Sequence, residues 1–267
     1  MNTKYFTVKV KPLVPASEQH NGAYSAGDVL ADWFAFDMPK GGAALRSVTA
    51  IIRGNDGSAQ ANSANLNVFF ANPKADGSAP GSLGTGHATA NGTNYFNDII
   101  GGVMLSDSGV VGAGQSLDRI SIVNSGEGSA SGHYTHAIVE GRPKLTRDGY
   151  NTVYVGLVTS SAGTYNFSSG VINKGAVTAG ATSLSVDDGS NGDASTGNVF
   201  NVGDILHSAT DDVIGEIETI GSHADGAATI TIVSGTGGHT DGNSAAVADN
   251  EELYNPHPVT LILNFER

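Results

Sequence analysis

Short segments in which apolar and polar residues alternate recur along almost the whole chain of 267 residues. Clear examples are YFTVKV at 5–10, NLNVFFANP at 65–73 and VTLILNF at 259–265. A period of two residues is typical of a β-strand with one buried face, and no long segment carries the 3.6-residue apolar period of a helix. The sequence therefore predicts an all-β protein built as a sandwich or a barrel.

Glycine-rich turns separate the predicted strands. Glycine accounts for 37 residues, which is roughly twice its usual share of about 7%. The predicted strands cover 5–10, 29–36, 45–54, 65–73, 99–107, 117–124, 133–141, 151–160, 163–167, 182–188, 202–208, 213–221, 228–235 and 259–265. A segment rich in Gly, Ala, Ser and Asn at 73–93 predicts a long loop.

Acidic residues are concentrated in one part of the chain. Residues 171–255 hold 13 Asp and Glu and a single lysine, whereas all other residues together are close to neutral, in a chain of net charge −13. Such a sharp asymmetry indicates a separate module. We predict that 171–255 form a small acidic β-barrel inserted before the last strand of a larger β-sandwich, which comprises 1–170 and 256–267. The alternative is two sequential domains, with the last strand in the second.

Charge and composition also exclude several classes of partner. Nucleic acid is not an expected partner, since phosphate binding needs clustered lysine and arginine. The chain has no cysteine, so neither disulfides nor thiol chemistry are available. No apolar stretch is long enough to span a membrane, and the N-terminus lacks the apolar core of a signal peptide. We expect a soluble protein with no membrane partner.

Candidate catalytic and metal sites are few. Asp187, Asp188 and Asp193 fall in the glycine-rich loop DDGSNGD, which is the one candidate calcium loop because carboxylate oxygens suit that ion. The EF-hand spacing is absent, however, and such turns commonly form without metal. His133 and His136 are three residues apart and would face opposite sides of a strand, which does not suit zinc. We therefore expect no enzyme, no catalytic residue, no metal and no cofactor.

Two stretches carry a resemblance to known proteins. AYSAGDVLADWFAFDMP at 23–39, followed by LRSVTAIIRGNDGSAQANSANLNVFFANP at 45–73, resembles virion proteins of tailed bacteriophages, notably marine ones, and TVYVGLVTSSAGTYNF at 152–167 fits the same type. These relatives are jelly-roll or sandwich proteins of the phage head, called cement or decoration proteins. The resemblance covers about residues 20–170 and implies a jelly roll for the larger part.

The acidic segment also resembles something known, namely small β-barrel modules inserted in phage capsid and tail proteins. It contains FNVGDILHSATDDVIGEIETIGS at 200–222. In this interpretation Gly203 and Asp204 form a turn with positive φ at the glycine, and Glu216 and Glu218 point outwards. The apolar positions of the second strand would be core or partly core: Val213, Ile214, Ile217 and Ile220.

The resemblance implies a structural role on a phage particle. The chain would be a decoration or cement protein that binds the outside of the capsid shell, bridges copies of the major capsid protein and is made in the host cytoplasm. We expect a symmetric homo-oligomer, three-fold first and two-fold second. The candidate capsid contacts are Tyr5, Lys9 and Lys11 near the N-terminus, and the acidic module would face outwards, where its charge keeps particles apart.

Two other functions stay open at this point. A tail- or fibre-associated module that binds host glycans would use exposed aromatic residues, and the candidates are Trp33, Phe34, Phe36, Phe69 and Phe70. The same aromatic residues also fit the core of a sandwich. The major capsid protein itself is disfavoured, because no long helix is predicted.

Overall fold

A computed structural model of the chain describes residues 5–19, 22–53, 64–91, 97–105, 110–111, 120–124, 138–139, 142–143, 150–187, 199–222, 227–233 and 245–267. These residues form antiparallel β-strands, one three-residue 3₁₀ helix at Ala16–Glu18 and no longer helix. The prediction of an all-β protein is therefore confirmed. Within the same residues no helix is long and apolar enough to cross a membrane.

The strands are numbered in chain order. They are β1 (Tyr5–Val10), β2 (Gly22–Tyr24), β3 (Val29–Pro39), β4 (Ala43–Arg53), β5 (Leu66–Ala71), β6 (Ile99–Leu105), β7 (Val110–Val111), β8 (Ile120–Asn124), β9 (Ile138–Val139), β10 (Arg142–Pro143), β11 (Tyr150–Thr159), β12 (Gly163–Tyr165), β13 (Ile172–Asn173), β14 (Ser183–Asp187), β15 (Ile205–His207), β16 (Val213–Ile220), β17 (Ala227–Ile232) and β18 (Val259–Glu266).

Two large sheets face each other across one core. The first has the order β1-β18-β4-β8-β7, with β9 also paired to β4, and the second has β3-β11-β5-β6, with β10 also paired to β11. Alternate residues of both sheets point into a shared apolar cluster, as their period of two requires. Its fully buried members include Met38, Val48, Ile52, Val68, Phe70, Val155, Leu157, Leu261 and Leu263. The arrangement is that of a β-sandwich.

The eight principal strands of the two sheets follow a regular order. These strands are β1, β3, β4, β5, β6, β8, β11 and β18, and we number them from one to eight in chain order. In this numbering the first sheet has the strand order 1-8-3-6 and the second sheet has the strand order 2-7-4-5. Successive strands therefore cross between the sheets, except for β5 and β6, which are hydrogen-bonded neighbours. The last strand lies between β1 and β4 in the first sheet, although residues 171–255 separate it from the other sandwich strands.

A third sheet has a core of its own. It has the order β13-β14-β17-β16-β15 and curves around a second cluster of buried apolar residues. Chain segment 252–254 bridges both of its edges, since Glu252 pairs with Ile172 of β13 and Tyr254 pairs with His207 of β15. The segment thus satisfies backbone groups that an open half-barrel would leave at its edges.

The segment predicted as a long loop at 73–93 contains no strand in its described residues, 73–91, and covers the outer face of the second sheet. Leu83 from this loop is buried with Val29 and Val158, and Trp33 packs against them. The approach is close at Gly156, where a Cβ atom would lie 2.4 Å from Leu83 Cδ1 and would force that side chain to shift. The loop is therefore fixed by packing to the sheet beneath it.

Candidate functional site

The residues predicted to contact a capsid lie on or just after β1, which is the edge strand of the first sheet. Tyr5 is 72% exposed, and its hydroxyl lies 3.4 Å from a carboxylate oxygen of Glu266. Lys9 is exposed on the same face of the strand, because residues an even number apart share a face. Lys11 follows the strand, and its Nζ lies 3.7 Å from Asp204 Oδ1. The structure thus groups Tyr5 with Lys9 and directs Lys11 elsewhere.

Of the candidate calcium loop, only Asp187 lies within the described residues. It ends β14, and its carboxylate is 3.5 Å from Lys174 Nζ. Asp188 and Asp193 lie outside the described residues, as do His133 and His136. Among the residues that are described, no group of three His, Asp or Glu side chains is arranged to hold a metal ion.

Five polar side chains meet where the sandwich adjoins the third sheet, and of these only Lys11 was among the predicted site residues. Lys11 follows β1, Arg53 ends β4, and Asn255 with His257 belongs to the segment that returns to β18. Asp204 comes from the turn before β15. We call these five residues, Lys11, Arg53, Asp204, Asn255 and His257, the polar junction.

Asp204 is the acceptor at the centre of the polar junction, with 9% of its surface exposed. Its Oδ2 atom accepts hydrogen bonds from Asn255 Nδ2 at 2.7 Å and from Arg53 Nη2 at 3.3 Å. The same oxygen accepts the backbone N–H of Asn201 at 3.0 Å, within its own turn. The Asp204 carboxylate thus joins β4 and the returning segment to the third sheet. It acts as a hydrogen-bond acceptor that holds these parts of the structure together.

A glycine turn places Asp204 in this position. Gly203 has φ of +86°, as predicted, and its N–H donates to the Ile217 carbonyl of β16. The left-handed conformation costs glycine little because it has no Cβ atom. The turn therefore presents the aspartate towards the sandwich, whereas the sequence alone indicated only a turn.

Burial controls the charges of the polar junction. Burial lowers the pKa of the Arg53 guanidinium, and both the charge of Asp204 and its hydrogen bond oppose that shift. Burial also lowers the pKa of His257, whose Nδ1 lies 3.2 Å from the Pro12 carbonyl oxygen, and the Lys11 ammonium lowers it further. Burial thus disfavours the charged forms of both the Arg53 guanidinium and the His257 imidazole.

Gln19 ties three distant parts of the chain together beside the polar junction. It is only 1% exposed, and its Nε2 donates to the carbonyl oxygens of Val14 and Asn255, both at 2.8 Å. The backbone carbonyl of Gln19 accepts the N–H of Phe167 at 2.8 Å. The segment after β1, the segment that leads into the third sheet and the segment that leaves it are thus held together at one buried residue, through its side chain and its backbone.

Glu252 holds the two connections of the third sheet to each other. Its Oε1 accepts Ser168 Oγ at 2.5 Å and Ser169 N–H at 2.9 Å, and its Oε2 accepts the Tyr254 hydroxyl at 2.8 Å. Burial raises the pKa of Tyr254, and the Glu252 carboxylate raises it further, so the phenol remains a donor. The connections at 168–170 and 252–254 are therefore hydrogen-bonded rather than loose.

The other acids of the stretch 200–222 do not converge on a site. Asp211 Oδ1 accepts the N–H of Ala16 at the start of the 3₁₀ helix, which is another contact between the third sheet and the sandwich. Asp212 is exposed and accepts Thr210 Oγ1 at 2.8 Å, and Glu218 is exposed on β16.

One further polar cluster lies under the long loop. The ring of His87 stacks on Tyr24 with 4.0 Å between centroids, and its Nε2 is 3.9 Å from Glu18 Oε2. His87 lies directly over Gly22, where a Cβ atom would overlap the imidazole at 1.9 Å. The cluster thus fastens the loop to the 3₁₀ helix and to β2.

The aromatic residues considered for sugar binding do not form an exposed platform. Phe36 and Phe70 are buried in the sandwich core, and Phe34 packs against that core. Trp33 and Phe69 pack with Leu83 beneath the long loop, and Trp33 Nε1 donates to the Gly81 carbonyl at 2.9 Å. Packing, with the indole N–H satisfied, accounts for these aromatic side chains.

Comparison of the chain with protein-family models, with curated proteins and with solved structures gives no match.

Proposed function

We propose that this chain is a non-enzymatic structural protein of a tailed-bacteriophage virion, which decorates the outside of the capsid shell and stabilises contacts between major capsid proteins. It would act through surfaces held in fixed positions and would need no cofactor. Its site of action is the capsid exterior, after synthesis in the host cytoplasm. Three features of the structure support this proposal.

The first is the strand order of the sandwich, which supports a jelly roll. The orders 1-8-3-6 and 2-7-4-5 in two facing antiparallel sheets fit an eight-stranded double-sheet jelly roll. Jelly rolls serve as viral capsid domains and also as lectin domains, so the architecture favours a structural or binding role without choosing between them.

The second feature carries the proposal: several hydrogen bonds join the acidic segment to that sandwich. We take residues 171–255 as a small inserted barrel, because segment 252–254 bridges both edges of its sheet. Asp204, Gln19 and Glu252 fasten it to the sandwich through one buried and two partly buried hydrogen bonds. Such mounting suits a protein that must present one surface to a shell and a charged surface to solvent.

The third feature is the exposed face of β1. Tyr5 and Lys9 lie together on it, and the sandwich that carries them is close to electrically neutral. A tyrosine and a lysine on a neutral surface suit docking to another protein, where aromatic residues supply contact area and charges supply orientation. We propose the major capsid protein as the partner at this face.

Binding to purified phage heads tests the proposal. Heads of the phage that encodes this chain, stripped of it, should rebind the purified protein during sedimentation and should withstand a higher temperature afterwards. A Tyr5→Ala, Lys9→Glu variant should bind more weakly, whereas Glu218→Ala, an exposed change on the acidic module, should bind normally. Absence of binding to heads, together with binding to host glycans on a sugar array, would replace the proposal with the tail-associated alternative.

A further inference from the structure

Within the described part of the chain, one side of β1 has no neighbouring strand, and we call it the free side. Among the described residues, the only strand that pairs with β1 is β18, and β1 ends the order of its sheet. An edge strand presents a row of backbone donors and acceptors that can pair with another strand.

The hydrogen bonds between β18 and β4 show which residues of β1 direct their backbone N–H and C=O groups to the free side. Arg53 N–H donates to the Pro258 carbonyl at 2.8 Å, so the backbone groups of residue 258 face β4. Strand residues alternate in direction, so Leu261, Leu263 and Phe265 face β1. Their partners on β1 are Val10, Val8 and Phe6, in the same order. The N–H and C=O groups of Tyr5, Thr7 and Lys9 therefore point to the free side.

The core face of β1 is also incompletely covered. Phe6 and Val8 pack against the sandwich core but are only partly buried, in contrast to Val10 at the end of the strand. Phe6 stacks on Phe265 with 5.1 Å between ring centroids. A further strand beside β1 would cover the apolar surface of Phe6 and Val8 that is still exposed.

We propose that two copies of this chain pair through β1, antiparallel, about a two-fold axis at Thr7. In that register Thr7 lies opposite Thr7 of the second copy, and Tyr5 lies opposite Lys9. Each of these pairs would exchange two backbone hydrogen bonds, because the residues are those whose polar groups face the free side. The two sheets would become one continuous sheet across the axis.

The side chains of β1 are complementary to themselves in this register. On the outer face the Lys9 ammonium would lie near the Tyr5 ring, an attractive cation–π pairing, and no lysine would oppose a lysine. On the core face Phe6 would lie opposite Val8, so each copy would cover the exposed apolar surface of the other. The near neutrality of the sandwich keeps repulsion between the copies small, because the acidic residues are concentrated in 171–255.

This inference does not depend on the proposed function, and it favours two-fold over three-fold symmetry. A single strand pair buries less area than the roughly 1,200 Å² of a stable interface, so the dimer should form reversibly with concentration. On a crowded surface, a high local concentration would drive the same pairing.

Analytical ultracentrifugation of two matched variants tests the pairing. Thr7→Ala and Thr7→Pro both remove the hydroxyl that lies 2.7 Å from Asn264 Oδ1, but only proline removes the backbone N–H on the free side. Wild type and Thr7→Ala should show a monomer–dimer equilibrium, and Thr7→Pro should dimerise at least about tenfold more weakly, the equivalent of about 1.4 kcal/mol. Equal dimerisation of the three proteins would refute the proposal.

Hydrogen exchange of the wild-type amides decides the matter even if Thr7→Pro does not fold. The amides of Tyr5, Thr7 and Lys9 should exchange quickly in dilute protein and slowly in concentrated protein. Those of Phe6 and Val8, which pair with β18, should be protected at both concentrations. Protection of the Thr7 amide in the dilute monomer would mean that the chain covers its own β1 edge. A trimer that forms at every concentration while the Thr7 amide still exchanges quickly would mean that the copies meet at another surface. Either result would overturn the inference.

Discussion

Replacement of Asp204 by alanine should uncouple the acidic module from the sandwich. The change removes the acceptor for Asn255 and for the Arg53 guanidinium, which keeps only 18% of its side chain exposed. The arginine would then remain largely buried and would lose its ion pair with Asp204. Removal of one partner from a buried, hydrogen-bonded charge pair is among the few defects that destabilise a protein strongly.

The expected cost follows from the burial of the pair. Loss of one partner from a buried ion pair costs about 3–5 kcal/mol. The lower value, about 3 kcal/mol, applies here because water still reaches part of Arg53. For a domain of this size such a loss lowers the melting temperature by roughly 6–12 °C. Asp204→Asn retains an oxygen acceptor and should cost about half as much.

Two optical signals separate the parts of the molecule in a thermal unfolding experiment. The only tryptophan, Trp33, lies in the sandwich, so its fluorescence reports that part alone, whereas circular dichroism reports all strands. The two curves should coincide in the wild type and separate in Asp204→Ala. Glu218→Ala removes an equal charge from an exposed position and should change stability by less than about 0.5 kcal/mol.

A double variant isolates the buried charge as the cause. Arg53→Met combined with Asp204→Ala removes both members of the pair, so it should lose less stability than the sum of the two single variants. If Asp204→Ala instead behaves like Glu218→Ala, with coincident unfolding curves, the polar junction does not couple the acidic module to the sandwich.

Two further predictions concern titration and packing. Burial lowers the pKa of both His207 and His257 in the folded protein. As the pH falls, the unfolded chain therefore binds protons at these histidines before the folded protein does. The free energy of unfolding should be unaffected by these two groups above a pH of about 6.5 and should decrease as the pH falls below it. Melting temperatures measured from about pH 8 to about pH 5 check this, and a flat profile would contradict it. Gly156→Ala should lower the free energy of unfolding by about 1–3 kcal/mol, since its Cβ would lie 2.4 Å from Leu83 Cδ1. A shift of Trp33 fluorescence should accompany this loss. An unchanged spectrum together with an unchanged melting temperature would show that the loop is not held against the sheet.

The alternation of apolar residues predicted most of the strands because it is a local property. A strand buries every second side chain whatever its partner is, so segments such as 5–10 and 259–265 could be identified without their neighbours. The turn at Gly203 was predictable for the same reason, since positive φ depends on the residue itself.

A strict period of two failed where the strands carry a bulge. Val213 was predicted as a core or partly core residue, but it is 46% exposed, whereas Ile214 and Ile217 are both buried although they are three residues apart. The pairing of β15 with β16 shifts register between Leu206 and His207, which changes the direction of the following side chains. Sequence periodicity does not show where such a shift occurs.

The strand content and the concentration of acidic charge could be predicted because both follow from the order of residues along the chain. The use of individual acids depends on contacts that form only when the chain is folded. Asp204 meets Arg53 and Lys11, and Glu252 meets Ser168, across long separations in sequence. Strand order and chain crossing bring these partners together, and their hydrogen bonds turn part of an acidic composition into the polar contacts that join two cores.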